Sequence, residues 1–360
     1  MQKRRNLLTE DQGRLKGDNM ALSKLTPATS TSIELFRSYP VGIGIESVSY
    51  EECRQTGNVA LSNQLDIELK SSGRQMINLD QSTLNIRFRV EGEDEAEVTP
   101  VVMGQDGNVQ TPAVPVSIIN NIVHSMWEGV ELSMNNKNIY TSRAHAFSHK
   151  NHLKILRMLE YGNTTKQEQM FILDYPPHFT KTLKIRGGNQ GLKRRHNEIL
   201  NRKSVHVCGP IGLGVAEMGT LLPPGIVGKL TLIKASDDYL ILTDNLAQAR
   251  EFKIIIEDVW VKLCLVTIPD QVYDGMMATL AKTPAVYLYQ ESEVKEICFM
   301  ANNRLPTEQE IVSGLLPFEV VILFVTQVSH QGSRTTNPLA LEVIYIYLLT
   351  FVHMNFSPPS

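Results

Sequence analysis

His145, His149 and His152 stand at i, i+4 and i+7, which on a helix places three imidazoles on one side. Such a row could hold a transition metal if neutral rings converged with a carboxylate alongside. No acidic residue lies three or four positions from any of them, and Lys150 and Lys154 sit among them. The row therefore predicts a solvated polar face and no metal. Phosphate chemistry is suggested by Gly209-Pro210-Ile211-Gly212-Leu213-Gly214 and by Gly187-Gly188-Asn189-Gln190-Gly191. A phosphate loop needs Lys-Ser/Thr after its last Gly, or a strand before it and a helix after it. Leu192 follows the second stretch, and in Gly228-Lys229-Leu230 a Leu stands where a magnesium-binding hydroxyl belongs. The first two read as turns, and the third fails as a phosphate loop for the same reason.

Asp237-Asp238 and Glu257-Asp258 could supply paired carboxylates for acid–base work, but both flank strands and are expected in solvent-facing turns. There is no G-x-S-x-G, no H-E-x-x-H and no C-x-x-C. The four cysteines, at 53, 208, 264 and 298, lack the short spacings of a zinc site or a disulfide framework, which fits a reducing compartment. The sequence thus offers no catalytic, cofactor-binding or metal-binding residue, and no cofactor is expected. A folded chain without a chemical constellation reads as a building block or a binder.

The chain has 360 residues, 42% of them hydrophobic and 20% charged, enough to bury a core without staples. A net charge of −3 excludes any general electrostatic attraction to nucleic acid or membrane. Lys3-Arg4-Arg5, Arg14 and Lys16 are diluted by Glu10, Asp11 and Asp18, and residues 1–31 read as a flexible arm. No apolar segment opens the chain, and the run Val343 to Val352 is about half the length of a membrane span. An intracellular, soluble, non-secreted protein is expected.

Period two dominates the elements that would position any site. Leu84, Ile86, Phe88 and Val90 alternate with polar residues, as do Val130, Leu132 and Met134, and Val259, Val261, Leu263 and Leu265 alternate across Trp260, Lys262 and Cys264. Asn135-Asn136 supplies residues that tolerate positive φ in a turn. Val320 to Val325 lacks alternation and predicts a strand buried on both faces. Two helices are expected. One spans 144–161, with Phe147, Leu153, Leu156 and Leu159 inward and Gly162 at its end. The other spans 270–282, with Asp270 as N-cap and Val272, Tyr273, Met276, Met277 and Leu280 inward. Segment 91–115 reads as a loop, and short strands parted by Gly, Pro and Asn clusters predict a sandwich.

Several stretches resemble the double jelly-roll major capsid proteins of Polinton/Maverick elements and adintovirus-like relatives. Thr31-Ser32-Ile33-Glu34 is similar to the family's opening motif. Pro115-Val116 followed by Asn121, His124 and Ser125 resembles P-V-N-x-F-L-H-S-L-F. The strand ending in Asn135-Asn136-Lys137 resembles one ending in N-G-K, with Asn136 in place of Gly. Leu156 to Gly162 is similar to L-L-x-Y-G, Leu221-Leu222-Pro223-Pro224-Gly225 to L-L-P-G-V, and Ile256-Glu257-Asp258-Val259 to I-E-D-A/V. Gly314-Leu315-Leu316-Pro317 resembles G-x-L-P, and Gly332 to Pro338, including Asn337, resembles N-G-S-Y-T-K-N-P-F with Leu339 replacing the aromatic.

The resemblance implies a mainly β double jelly roll with a helical insertion. The first roll would span 32–268, a linker helix 269–284, and a second, truncated roll 285–360. It further implies a virion subunit that trimerises into pseudo-hexameric capsomers, with neighbouring capsomers and a minor capsid or penton protein as partners. The stretch after the linker is short for eight strands, so an incomplete or degraded integrated copy of poor solubility is expected. The alternative from another class is a jelly-roll binding module that recognises carbohydrate.

Overall fold

The computed structural model describes residues 44–55, 57, 62–92, 96–99, 116–160, 174, 189–243, 251–289, 293–295, 320–339 and 342–346. The chain divides into Met1–Ile43 and Gly44–Ser360, and all the described residues belong to the second unit. Alternating apolar residues there build two four-stranded antiparallel sheets. One has the order β1 (Ser47–Arg54), β10 (Lys253–Thr267), β3 (Met76–Glu91), β7 (Val205–Pro210). The other has the order β2 (Gln64–Lys70), β8 (Val227–Lys234), β5 (Trp127–Met134), β6 (Lys137–Ser142).

Taken in chain order, the eight strands pair first with last, second with seventh, third with sixth, and fourth with fifth. That is one long hairpin wound around a common core. The sandwich is a jelly roll. A short pair, β4 (Val116–Ile118) with β9 (Ile241–Thr243), lies beside it.

The core lies between the sheets. Leu84, Ile86, Phe88 and Val90 are at most 1% exposed and join Val130, Leu132, Leu230, Leu232, Val261 and Leu263 in one cluster. The alternation of β3 and β5 thus puts the expected set inward. At the tip between β5 and β6, Asn135 and Asn136 take φ of 48° and 64°, and Asn135 Oδ1 accepts a hydrogen bond from Val227 N at 2.9 Å. The Asn in place of Gly at 136 is therefore accommodated in the left-handed region.

β10 departs from simple alternation, because Trp260, Cys264 and Val266 on its outer face are also buried. Helix α5 (Asp270–Leu280) covers part of that face, with Tyr273 and Met276 on Met76, Cys264, Val266 and Ile268. His206 stacks on Trp260 at 5.0 Å and Arg54 lies 4.9 Å over the same ring. A bulge between Ile256 and Asp258 sets Glu257 and Asp258 inside the strand, not in a solvent-facing turn. Arg89 donates to Glu257 at 3.0 Å and Arg54 donates to Asp258, so each carboxylate has its own cation.

Other expectations are corrected. In α5, Val272 and Met277 are exposed, because a helix laid on the outside of one sheet buries only one row. Its N-cap is Pro269, and Asp270 in the first turn accepts from Arg74. Helix α3 (Gln190–Glu198) occupies part of the stretch read as a turn, with Asn189 as N-cap accepting from Leu192 N at 3.1 Å. β11 (Val320–Phe324) pairs with β12 (Glu342–Ile346), and its side chains are half-buried or exposed, not enclosed on both faces.

Phe88→Ala should destabilise the sandwich by about 3–5 kcal/mol, because it empties the centre of β3. Val48→Ala on exposed β1 should stay within about 0.5 kcal/mol of the parent. Thermal denaturation checks both, and equal melting of Phe88→Ala and the parent would refute the inward register.

Candidate functional site

Beside the apolar core the chain also buries a set of polar residues. They come from α1 (Ile122–Ser125), α2 (Ala146–Glu160), α3, α4 (Asp237–Leu240) and α6 (Gln327–Gln331), together with the turn after α6. Asn121, at the left-handed entry to α1, starts the set with φ 51°. Asn120 Oδ1 accepts from Asp174 N at 3.2 Å, and Asp174 accepts from Arg195 Nη1 at 2.8 Å and Nη2 at 3.3 Å. Arg195 Nε donates to Ile118 O at 2.9 Å. Both side chains are essentially inaccessible, at 1% and 0% exposure, so this ion pair is held by geometry and not by solvent.

A directed run of hydroxyls crosses the layer. Tyr239 OH donates to Ser148 Oγ at 3.3 Å, Ser148 Oγ to Ser125 Oγ at 3.1 Å, and Ser125 Oγ to Asn120 O at 2.9 Å. Each donor spends its one proton and the run ends on a backbone acceptor. Burial also pushes the Tyr239 phenol up. His124 Nε2 lies 2.9 Å from Pro210 O, which can only accept, so the ring proton sits on Nε2. Its Nδ1, 3.0 Å from the side-chain amide of Asn121, must then accept. The atom placed there is Asn121 Oδ1, and a half-turn of the amide brings the otherwise unpartnered Nδ2 to that lone pair instead.

The α2 histidines overturn the solvated-face reading. His145, His149 and His152 are 7%, 6% and 1% exposed, whereas Leu153 and Leu156 are only half-buried. Helix α2 turns its polar row inward because that row meets other polar residues. His145 stacks on Tyr239 with centroids 3.7 Å apart, and His330 of α6 lies 6.1 Å from His145 and 5.9 Å from His149. Burial, helped at His145 and His149 by neighbouring histidines, lowers the pKa of His124, His145, His149 and His152 to about 4 each. Among the described residues no group of three or more His, Cys, Asp or Glu side chains is placed to hold a metal ion.

The segment after α6 docks on this layer. Thr243 N donates to Arg334 O at 2.7 Å, and Arg334 Nε donates to Asp238 Oδ1 at 2.7 Å. Pro338 and Leu339 lie against His149 and His152, and Leu339 enters the main core. Gly332, at φ 94°, lies so close that a Cβ would sit 2.9 Å from Tyr239 N. No side chain fits there.

The family-like positions therefore separate into groups. Asn121, His124, Ser125, Asn337 and Pro338 converge in the layer although more than two hundred residues divide the two motifs. Asn136 and Lys137 lie at the β5–β6 tip, Pro223 and Gly225 in the turn before β8, and Glu257 and Asp258 on the outside of β10. Pro115 and Pro317 lie outside the described residues. Ser148, Asp174, Arg195, His196, Tyr239 and His330 belong to the layer yet carried no sequence motif. The Asn189 cap before a basic helix was the one local signal that pointed to Arg195.

No protein-family model matches the chain, and no curated protein matches it. Solved structures do resemble it. A cryo-EM structure of the Sputnik virophage has a TM-score of 0.42 at 10% identity, covering 68% of this chain and 53% of that one. A quasi-atomic model of the PBCV-1 virus capsid has 0.40 at 13%, covering 71% and 49%. The mavirus major capsid protein has 0.35 at 11%, covering 70% and 52%. The chain spans about half the length of the structures it matches. The strand pairing, and not these likenesses, establishes the jelly roll.

Arg195→Met should cost about 3–5 kcal/mol because it leaves the Asp174 carboxylate buried and unpaired. Adding Asp174→Leu should recover most of that loss. Urea melts of both variants check it, and a double variant no better than the single one would show that the pair is not the source of the loss.

Proposed function

We propose that this chain is a structural capsid subunit of the double jelly-roll kind, with 32–268 as the first roll, 269–284 as the linker and 285–360 as part of the second. The observation that carries the reading is the nested strand pairing of a jelly roll, with the downstream segment of α6 and its following turn fixed to it through Arg334 and Leu339. A shell tile needs two such units held rigidly, since its edges meet neighbours under load. The ordered motifs from Thr31 to Pro338 support the Polinton/Maverick kind, and with it a homotrimer that tiles a virion and meets a minor capsid or penton protein.

Exposed apolar side chains supply contact surface for other subunits. Ile45, Val48 and Tyr50 at the β1 edge, Val272 and Met277 on α5, and Val286, Leu288 and Tyr289 beyond it are all accessible. The carbohydrate-binding alternative is less well served. Trp127 is fully buried with its indole N–H bonded to Val123 O at 2.9 Å, and Trp260 is covered by His206 and Arg54. Tyr140, beside an open groove with Arg143 and Glu293, carries Lys150 over its ring at 5.0 Å. None of the three offers a free aromatic face to a sugar.

Light scattering of the purified chain should give three times its 40.4 kDa mass, with six-cornered particles in negative stain. Aggregates without any trimer would count against assembly by this chain. A monodisperse monomer that binds glycans would refute the capsid reading.

A further inference from the structure

We propose that His145, His149 and His330 form an acid-sensitive latch whose protonation releases the 327–339 segment from the first jelly roll. The inference concerns regulation of that contact, and it stands whether or not the chain builds a shell.

The latch joins elements that are nearly two hundred residues apart. His145 and His149 project from α2, His330 comes from α6, and the ring centroids of His330 lie 6.1 and 5.9 Å from the other two. Nδ1 of His145 and Nε2 of His149 are buried without a hydrogen-bond partner, as lone pairs of neutral rings can be. A proton on either atom would have no acceptor. The surrounding charges are committed elsewhere. On α4, Asp238 pairs with Arg334 and Asp237 with Lys234, and Tyr239 stacks on His145 as a neutral phenol. On α2, Lys154 pairs with Glu217 and Lys150 covers Tyr140, while His152 faces the Asp174–Arg195 pair. From α1 and α3, His124 and His196 bond to backbone carbonyls.

The only charges that act on both His145 and His149 are other histidines, and they oppose protonation. Two cations about 6 Å apart in a buried layer repel with little screening. Docking holds His145 and His149 down at about 4, below the ordinary 6.5 of a histidine, through burial first and then the neighbouring imidazoles. The released state therefore binds protons first, and docking weakens as pH falls from 6.5 toward 4. Near neutral pH the latch is closed. The jelly-roll core has no such row of imidazoles between its sheets, so it should stay closed while the segment opens.

Hydrogen exchange of the whole chain, corrected for intrinsic rates, tests this at pH 7.5, 6 and 5. Peptides over 327–339 should lose protection on the order of tenfold or more between pH 7.5 and 5, while β3 and β10 keep theirs. His149→Gln/His330→Gln should flatten that response. His330→Gln alone, at a half-buried position that should tolerate the change, should reduce it. Arg334→Ala, which removes the neighbouring ion pair and no titrating ring, should loosen the segment at every pH without changing the slope. Unchanged protection of 327–339 at pH 5, equal loss in β3 and β10, or a wild-type slope in His330→Gln would each overturn the latch.

Discussion

β3 and β10, the longest strands in the structure, lie side by side from Met76 opposite Val266 to Glu91 opposite Lys253. Their pairing closes a loop of some hundred and sixty residues, and everything inside it must then be stored within that boundary. The chain meets this constraint by pairing inward, β3 with β7 and β5 with β6, while β2 crosses to β8 in the facing sheet. The two sheets share one apolar interior, and the bulge at Glu257 relieves the register where β10 bends. Closing such a loop is entropically expensive, so the pairing persists only because the interior it completes is large.

The polar layer occupies the end of that loop, where α1, α2, α3 and α4 leave the sandwich. Burying so many polar atoms is tolerable only if hydrogen bonds replace water, and the layer shows this for Asn120, Ser125, Ser148, Asp174 and Arg195. The histidines solve the same problem by staying neutral. Holding a ring at about 4 instead of 6.5 means that its cation is disfavoured by on the order of 3 kcal/mol. Neutral imidazoles can stack and accept as well as donate, which lets one helix face meet Tyr239, His330 and two backbone segments at once. The cost appears only in acid.

The structure buries its polar layer and leaves several large apolar side chains exposed. The tryptophans are enclosed, and accessible apolar residues include Val48 and Tyr50 on β1, Val272 and Met277 on α5, Phe324 on β11 and Val328 on α6. Among the described residues β1 ends its sheet, and such an edge offers backbone groups to a further strand. No helix among the described residues is long and apolar enough to cross a membrane.

Much of the sandwich was legible in the sequence because a strand's period is local. Two residues suffice to repeat it, so Phe88, Val130, Leu132, Val261 and Leu263 announced their faces, and Asn135-Asn136 announced its turn. Outer-face burial of Trp260, Cys264 and Val266 was not legible, since α5 and His206 cover them from elsewhere in the chain. The α2 histidines failed for the same reason in sharper form. Helical spacing shows which residues share a face, but not whether that face meets water. Only the tertiary structure, by bringing Tyr239, Asp174, Arg195 and His330 against them, decided that the polar row points inward and that His124 and Pro338 belong to one site. Hydrophobic periodicity is a property of neighbours along the chain, whereas a buried polar layer depends on partners that only folding brings together.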